Sequence, residues 1–212
     1  MDHFIITIAR ENGSGGRNIA SKLSDKLGVP FYDRELLRLA SDVNGINESL
    51  YGIADERVGR LEMMTAAKKV YTGEILPPDD DDFISTRNLF SFQAKVIKEL
   101  AGNGSCIIVG RCADFLLSDR KDVLRIFIHA PLEARKARVA SFSLAWSERE
   151  VAKHIRDEDR RRREYYRYFT GDSWYDITHY DLSLDSAALG EDGCVSMIEK
   201  ALPLFLGFRS AR

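Results

Sequence analysis

The segment `ENGSGGRN`, residues 11–18, places Gly13, Gly15 and Gly16 within four positions, followed by Arg17 and Asn18. Glycines at this spacing let a backbone fold its N–H groups inward, and a helix starting just after them adds its positive end. Such a turn can cradle the oxyanions of a phosphate. Against the phosphate-loop pattern G-x-x-x-x-G-K-[ST] the match is partial: Gly16 fits, Glu11 stands at the first glycine, Arg17 replaces lysine and Asn18 replaces the hydroxyl residue. A plain glycine turn joining a strand to a helix is the competing reading.

Three further segments carry arginines in phosphate-type settings. In `IIVGRCADFLL`, Arg111 follows the end of an apolar run, where open α/β sheets present ligand groups, and its guanidinium could grip phosphate through two donors. The alternative is a strand cap paired with Asp114. In `APLEARKARV`, Pro131 opens a helix that carries Arg135 and Arg138 toward the same sheet end. In `RDEDRRRREYYR`, Arg156, Arg160, Arg163 and Arg167 form one helical stripe, while Asp159, Arg162, Tyr165, Tyr166 and Phe169 form a neighbouring face. That run suits an anion site or RNA, and also a solvated face balanced by Asp157, Glu158 and Glu164.

The elements that must position these groups alternate. Short β-rich runs at 4–9, 29–33, 105–110, 123–130 and 180–185 are separated by longer segments of helical period. That alternation predicts a mostly parallel sheet covered by helices. The first helix sets Ile19, Ala20, Leu23 and Leu27 on one face and stops at Gly28, ahead of Pro30. About 70 residues separate the second and third runs, which reads as an insertion. It contains a helical stretch over 48–71, the run Asp79 to Asp82 expected to be a solvated loop, and a helix closed by Gly102. Ahead of the arginine-rich helix, `SERE` forms a capping box, so that helix starts near Ser147.

With 212 residues, 44% hydrophobic and 30% charged, the chain has the size of one folding unit. A formal net charge of -2 gives no general attraction to nucleic acid or anionic membrane, so neither partner is expected. No apolar run approaches the ~20 residues that span a bilayer, and a cytoplasmic location is expected. Cys106, Cys112 and Cys194 read as buried thiols, and four scattered histidines suggest no structural zinc.

Taken in order, `ITIARENGSGGRNIASKL`, `LGVPFYDRELL`, `CIIVGRCADFLL`, `RIFIHAPLEARKARV`, `DEDRRRREYY` and `YDLSLD` resemble the cytidylate kinase-like family of P-loop nucleoside monophosphate kinases. The resemblance implies a three-layer P-loop kinase fold with a mostly parallel five-stranded sheet, an inserted acceptor-binding subdomain and a helical lid. It implies one domain over 1–212, with a core at about 1–40, 100–141 and 175–212, the insertion at about 41–99 and the lid at about 142–174. The implied reaction transfers the ATP γ-phosphoryl group to a nucleoside monophosphate, CMP or dCMP favoured, with ATP and Mg²⁺ as cofactors. Another small-metabolite acceptor, or nucleotide binding without turnover, are the alternatives.

Residue by residue, the resemblance assigns Gly13, Ser14, Gly15, Gly16, Arg17 and Asn18 to the ATP phosphates. It assigns Asp33, Arg38, Arg111, Asp159 and Arg162 to the acceptor. Arg17, Arg111, Arg138, Arg156 and Arg162 would stabilise the transferring charge. Since Asn18 stands in place of the usual hydroxyl and Val109 in place of an expected aspartate, Asn18 and Asp33 become the candidate Mg²⁺ ligands.

Overall fold

In the computed structural model, the structure describes residues 3–54, 56 and 71–210. The part of the expected 48–71 helix covering 55 and 57–70 lies outside the described residues. Strand β1 (Ile5–Arg10) is the centre of the molecule: Ile5, Ile6 and Ile8 are all fully buried, as a strand covered on both faces requires. It is flanked by β3 (Cys106–Val109), with Ile5 opposite Cys106, and by β4 (Val123–His129), with Ile5 opposite Val123. β2 (Phe31–Tyr32) and β5 (Leu182–Asp185) complete a parallel sheet in the order β2-β3-β1-β4-β5. Because the strands are parallel, every carboxyl end points the same way, and β1, β3 and β4 deliver their following loops to one rim.

Helix α1 (Gly16–Leu27) buries Ile19, Ala20 and Leu23 as the spacing predicts and ends at Gly28. It packs on one face of the sheet beside α8 (Ser186–Ser210), whose Cys194, Ile198 and Leu202 share its core. Helix α8 breaks its helical geometry at Gly190.

The other face carries α2 (Glu35–Asn44), α3 (Glu48–Ala54), α4 (Thr86–Asn103) and the short α5 (Ala113–Leu116). Helix α4 runs on through Gly102 to Asn103, so the expected stop at Gly102 is corrected to Gly104, whose φ of 170° and ψ of 173° leave the helical region. Asp79 to Asp82 form exposed turns, as a solvated loop should.

Helix α6 (Leu132–Phe142) follows β4, and α7 (Glu148–Thr170) starts with the expected capping box between Ser147 and Glu150. Tyr165, Tyr166 and Phe169 are the buried face of α7. Phe90 of α4 stacks on Phe169 at 3.8 Å between centroids and meets Tyr165 edge-on at 5.8 Å, joining the insertion helix to α7. All three cysteines are buried. Among the described residues no helix is long and apolar enough to cross a membrane.

Phe90→Ala would empty the contact between α4 and α7, and we expect a loss of about 3 to 5 kcal/mol in unfolding free energy by chemical denaturation. A cost below about 1 kcal/mol would show that the two helices do not depend on this ring.

Candidate active site

The rim formed by the carboxyl ends of β1 and β2, the glycine loop, and helices α6 and α7 encloses a cleft of about 690 Å³. Gly13, Gly15, Gly16, Arg17 and Asn18 line one side. Asp33, Arg34, Leu37, Gly52 and Glu56 face them, and Arg138, Phe142, His154, Glu158 and Arg162 approach from α6 and α7.

The loop is fixed by its own polar groups. Ser14 is fully buried; its N–H and hydroxyl both donate to the Glu11 carbonyl, at 3.2 and 2.9 Å. Its carbonyl accepts from Ser186 Oγ at 2.5 Å. The Ser14 side chain therefore shapes the loop and is not among the residues lining the cleft. Gly15, the N-cap of α1, holds φ 80°, and a Cβ there would lie 2.9 Å from Glu191 Oε1 and 3.3 Å from Arg138 Cζ. That left-handed backbone favours glycine. Arg138 donates to the Gly13 carbonyl at 2.6 Å and lies 3.7 Å from Glu191. The Asn18 amide donates to Glu191 Oε1 at 3.2 Å.

Three carboxylates, the buried Asp33 and Asp159 and the partly buried Glu56, organise the arginines. Asp33, at the end of β2, meets Arg17 Nε at 3.0 Å, Arg111 Nη1 at 3.3 Å and Arg10 Nη2 at 3.8 Å. Glu56 receives Arg10 Nη1 at 2.6 Å, Arg162 Nε at 3.0 Å and the Arg111 backbone N–H at 3.3 Å. Burial alone would raise the Glu56 carboxyl, but Arg10, Arg162 and Arg111 outweigh it and hold the group well below the usual carboxylate range. That stabilisation is full above the ordinary glutamate range and is lost only as pH falls toward the lowered value. Asp159 of α7 accepts from the Asn12 N–H at 2.7 Å and from Arg135 Nη1 at 2.5 Å, tying α7 to the loop. Glu11, in the position of the first glycine of the phosphate-loop pattern, accepts from the Ala130 N–H at 3.2 Å and from Tyr175 OH at 3.1 Å.

The sequence reading of Arg111 left a pairing with Asp114 open. The structure sends Arg111 to Asp33 instead, while Asp114 accepts from Tyr166 OH at 2.7 Å. Burial raises the Asp114 carboxyl, an effect that the Tyr166 hydrogen bond opposes. Arg111 is 2% exposed and lies behind the cleft wall.

Four expected acceptor or lid residues do not line the cleft: Arg111 and Asp159 are buried beside it, and the other two face solvent. Arg38 is exposed and pairs with Asp42 at 3.0 Å along α2, and Arg156 lies on the exposed side of α7. The neighbouring arginines behave as a solvated face in part: Arg160 pairs with Asp157 at 3.0 Å and Arg161 with Glu158. Arg162, one position on, turns inward.

Sequence reasoning passed over Arg10, Glu56 and Glu191. A charged residue ending the apolar run `IITIAR` directly before the glycines was a usable signal for Arg10. Nothing local marks Glu56 or Glu191, because their partners lie 46 and 173 positions away.

The parallel order β2-β3-β1-β4-β5, with a glycine loop between the central strand and α1, defines a P-loop kinase fold. Solved structures agree on the fold: a protein of Eubacterium ventriosum matches with TM-score 0.69 at 23% identity, over 94% of this chain and 98% of its own. A shikimate kinase of Bacteroides thetaiotaomicron matches with TM-score 0.54 at 13% identity, over 94% of this chain and 98% of its own. Residues 5–188 match the model of the cytidylate kinase-like family, and the chain belongs to that family. A cytidylate kinase of Methanopyrus kandleri is 26% identical over 208 residues, 93% of this chain and 92% of its own. One from Natronomonas pharaonis is 27% identical over 202 residues, 93% of this chain and 88% of its own. The chain is accordingly a kinase, an ATP-dependent phosphotransferase of the nucleoside monophosphate kinase type.

Asp159→Ala would strip the buried Arg135 of a countercharge and the Asn12 N–H of its acceptor. We expect about 3 kcal/mol of destabilisation, with ATP affinity falling as the loop loosens, measured by thermal melting and nucleotide titration.

Proposed function

We propose that this chain transfers the γ-phosphoryl group of ATP to the phosphate of a nucleoside monophosphate, with CMP or dCMP as the favoured acceptor. The observation that carries the reading is the convergence of Arg17, Arg138 and Arg162 on the cleft where the glycine loop opens, with Arg111 buried beside it on Asp33. Two cytidylate kinases among its relatives support the choice of base. In this reading the chain is one unit, with a core at about 1–40, 100–141 and 175–212, an acceptor-binding insertion at about 41–99 and a lid at about 142–174.

Phosphoryl transfer asks a protein for positioning and charge stabilisation more than for covalent chemistry. Gly13, Gly15 and Gly16 wrap the ATP phosphates, and the N-terminus of α1 faces them. Arg17 leaves Asp33 for the β and γ phosphates, a longer and planar substitute for the usual lysine. Arg138, held against the loop by the Gly13 carbonyl, sits where the transferring group passes. Arg111 and Arg162 take the acceptor phosphate, and Asp33 and Asp159 keep those guanidiniums aimed. Closure of the lid, at about 142–174, over the cleft excludes water, which would otherwise compete as acceptor.

The donor set suits Mg²⁺ under one condition. Asp33 already faces three guanidiniums, so it becomes available to a cation when Arg17 turns to the phosphates, and Asn18 adds a neutral amide oxygen. When bound there, the metal would neutralise phosphate charge.

A second reading, nucleotide binding without turnover, draws on the same Arg17–Asp33 pair, because an arginine retained by Asp33 would leave the γ phosphate without its cation. Incubating the protein with Mg²⁺ATP and CMP, dCMP, UMP, AMP or GMP decides between them. We expect ADP release greatest with CMP or dCMP. Background release across all five would remove the nucleotide kinase assignment, and tight ATP binding without single-turnover transfer would establish the second reading.

Arg17→Ala should lose at least about tenfold in turnover, since a charge-assisted phosphate contact contributes about 1.5 to 3 kcal/mol. For Arg162→Ala the expected change is a raised acceptor KM with slower transfer. An effect on ATP alone would move Arg162 to the donor side.

A further inference from the structure

The Glu56 carboxylate occupies a pocket built like a phosphate site. Arg10 reaches it from the end of β1 at 2.6 Å, Arg162 from α7 at 3.0 Å, and the Arg111 N–H from the turn after β3 at 3.3 Å. The donors thus come from three separate elements, and both carboxylate oxygens are engaged. The backbone at Gly110 comes so near that a Cβ there would overlap Arg10 Nη1 and Glu56 Oε1, and its φ of 76° also favours glycine. Close backbone approach, an amide N–H and paired guanidiniums are the features that bind an oxyanion. Here the oxyanion comes from the chain itself, from just beyond α3 in the insertion.

We propose that Glu56 is an internal stand-in for the acceptor's phosphate: it fills the Arg10–Arg162–Arg111 pocket while the enzyme is empty and is expelled when the phosphate monoester enters. This rests on the nucleoside monophosphate kinase reading for the identity of the incoming group. It also adds Arg10 to the acceptor-binding residues. Charge decides the direction of exchange. A phosphate monoester carries about -1.5 to -2 at pH 7 and three acceptor oxygens, against one charge and two oxygens on Glu56. Without Glu56, Arg10 and Arg162 would face each other half-desolvated with the more distant Asp33, at 3.8 Å, and Asp159, at 4.0 Å, as countercharges, which like charges resist. Glu56 relieves that repulsion, and its departure on acceptor binding would release the chain at Glu56 from Arg10 and Arg162 while the Phe90 contact still holds α4 to α7. A permanent strut would behave in the opposite way, because removing it would disorder the two arginines and weaken anion binding.

The test uses the full chain and inorganic phosphate as probe, without ATP or turnover. Phosphate affinity is measured by calorimetric titration and by the rise in Tm for the parent protein, Glu56→Gln and Glu56→Ala. Glu56→Gln keeps the shape of the side chain and removes the charge, so it reports even where Glu56→Ala folds poorly. Tighter phosphate binding in Glu56→Gln, by about tenfold, is expected, as one charge-assisted contact no longer competes. Adding Arg162→Ala to that variant should abolish the gain. Phosphate affinity equal to or weaker than that of the parent would overturn the proposal and make Glu56 a strut. The outcome is independent of the acceptor screen. A gain in phosphate affinity with no nucleotide turned over would keep the stand-in and remove the nucleotide reading. Turnover of CMP with no gain would do the reverse.

Discussion

A site for two phosphorylated substrates must gather positive charge before either substrate arrives, and guanidiniums held together out of water repel one another. Here Asp33, Glu56 and Asp159 meet that constraint, each half-buried or buried among arginines supplied by elements distant in the chain. Much of the architecture around the cleft follows from placing those carboxylates. Asp33 directly follows the short strand β2 and pairs with both Arg17 and Arg111. Asp159 fastens α7 to the loop through the Asn12 N–H and Arg135, so the helix carrying Arg162 is set relative to the phosphate loop by a hydrogen-bonded ion pair.

The same arrangement explains why the loop departs from the lysine type without losing its form. Its geometry is held by groups outside the motif: Glu11 accepts from Ala130 and Tyr175, Ser14 is closed onto Glu11, and Arg138 holds the Gly13 carbonyl. Glu191 collects Asn18, Lys22 and Arg138 from the side of α8. Residue identity at the last two motif positions is thereby separated from loop shape. A cradle built in this way can accept arginine at position 17 because that side chain finds Asp33 when no phosphate is present.

The fold was legible in the sequence because its signals are local. Apolar runs ending in turns marked the five strands, periodicity marked α1 and the buried face of α7, and Ser147 with Glu150 marked where α7 begins. The site was legible only where a residue sat inside a motif or at a strand end, as with Gly15, Arg111 and Arg138. Arg162 could be placed on a helix but not distinguished by pattern from Arg160 or Arg161, since all lie in one basic run; burial against Glu56 separates them. Arg38 and Arg156 had suitable charge and approximate position, yet the faces of α2 and α7 on which they sit point to solvent. Polar contacts between residues 46 to 173 positions apart leave no trace in spacing.

The hydrogen bond from Ser186 to the Ser14 carbonyl has a consequence for the order in which the protein comes into being. The glycine loop leaves the ribosome ahead of its partners: β1 pairs with strands that start at residues 106 and 123, and the loop is tied by Ser186 and Glu191. Contacts of such sequence separation must wait until the intervening chain exists and has closed on itself. The nascent chain therefore carries its glycine loop untied until the segment through Glu191 has emerged.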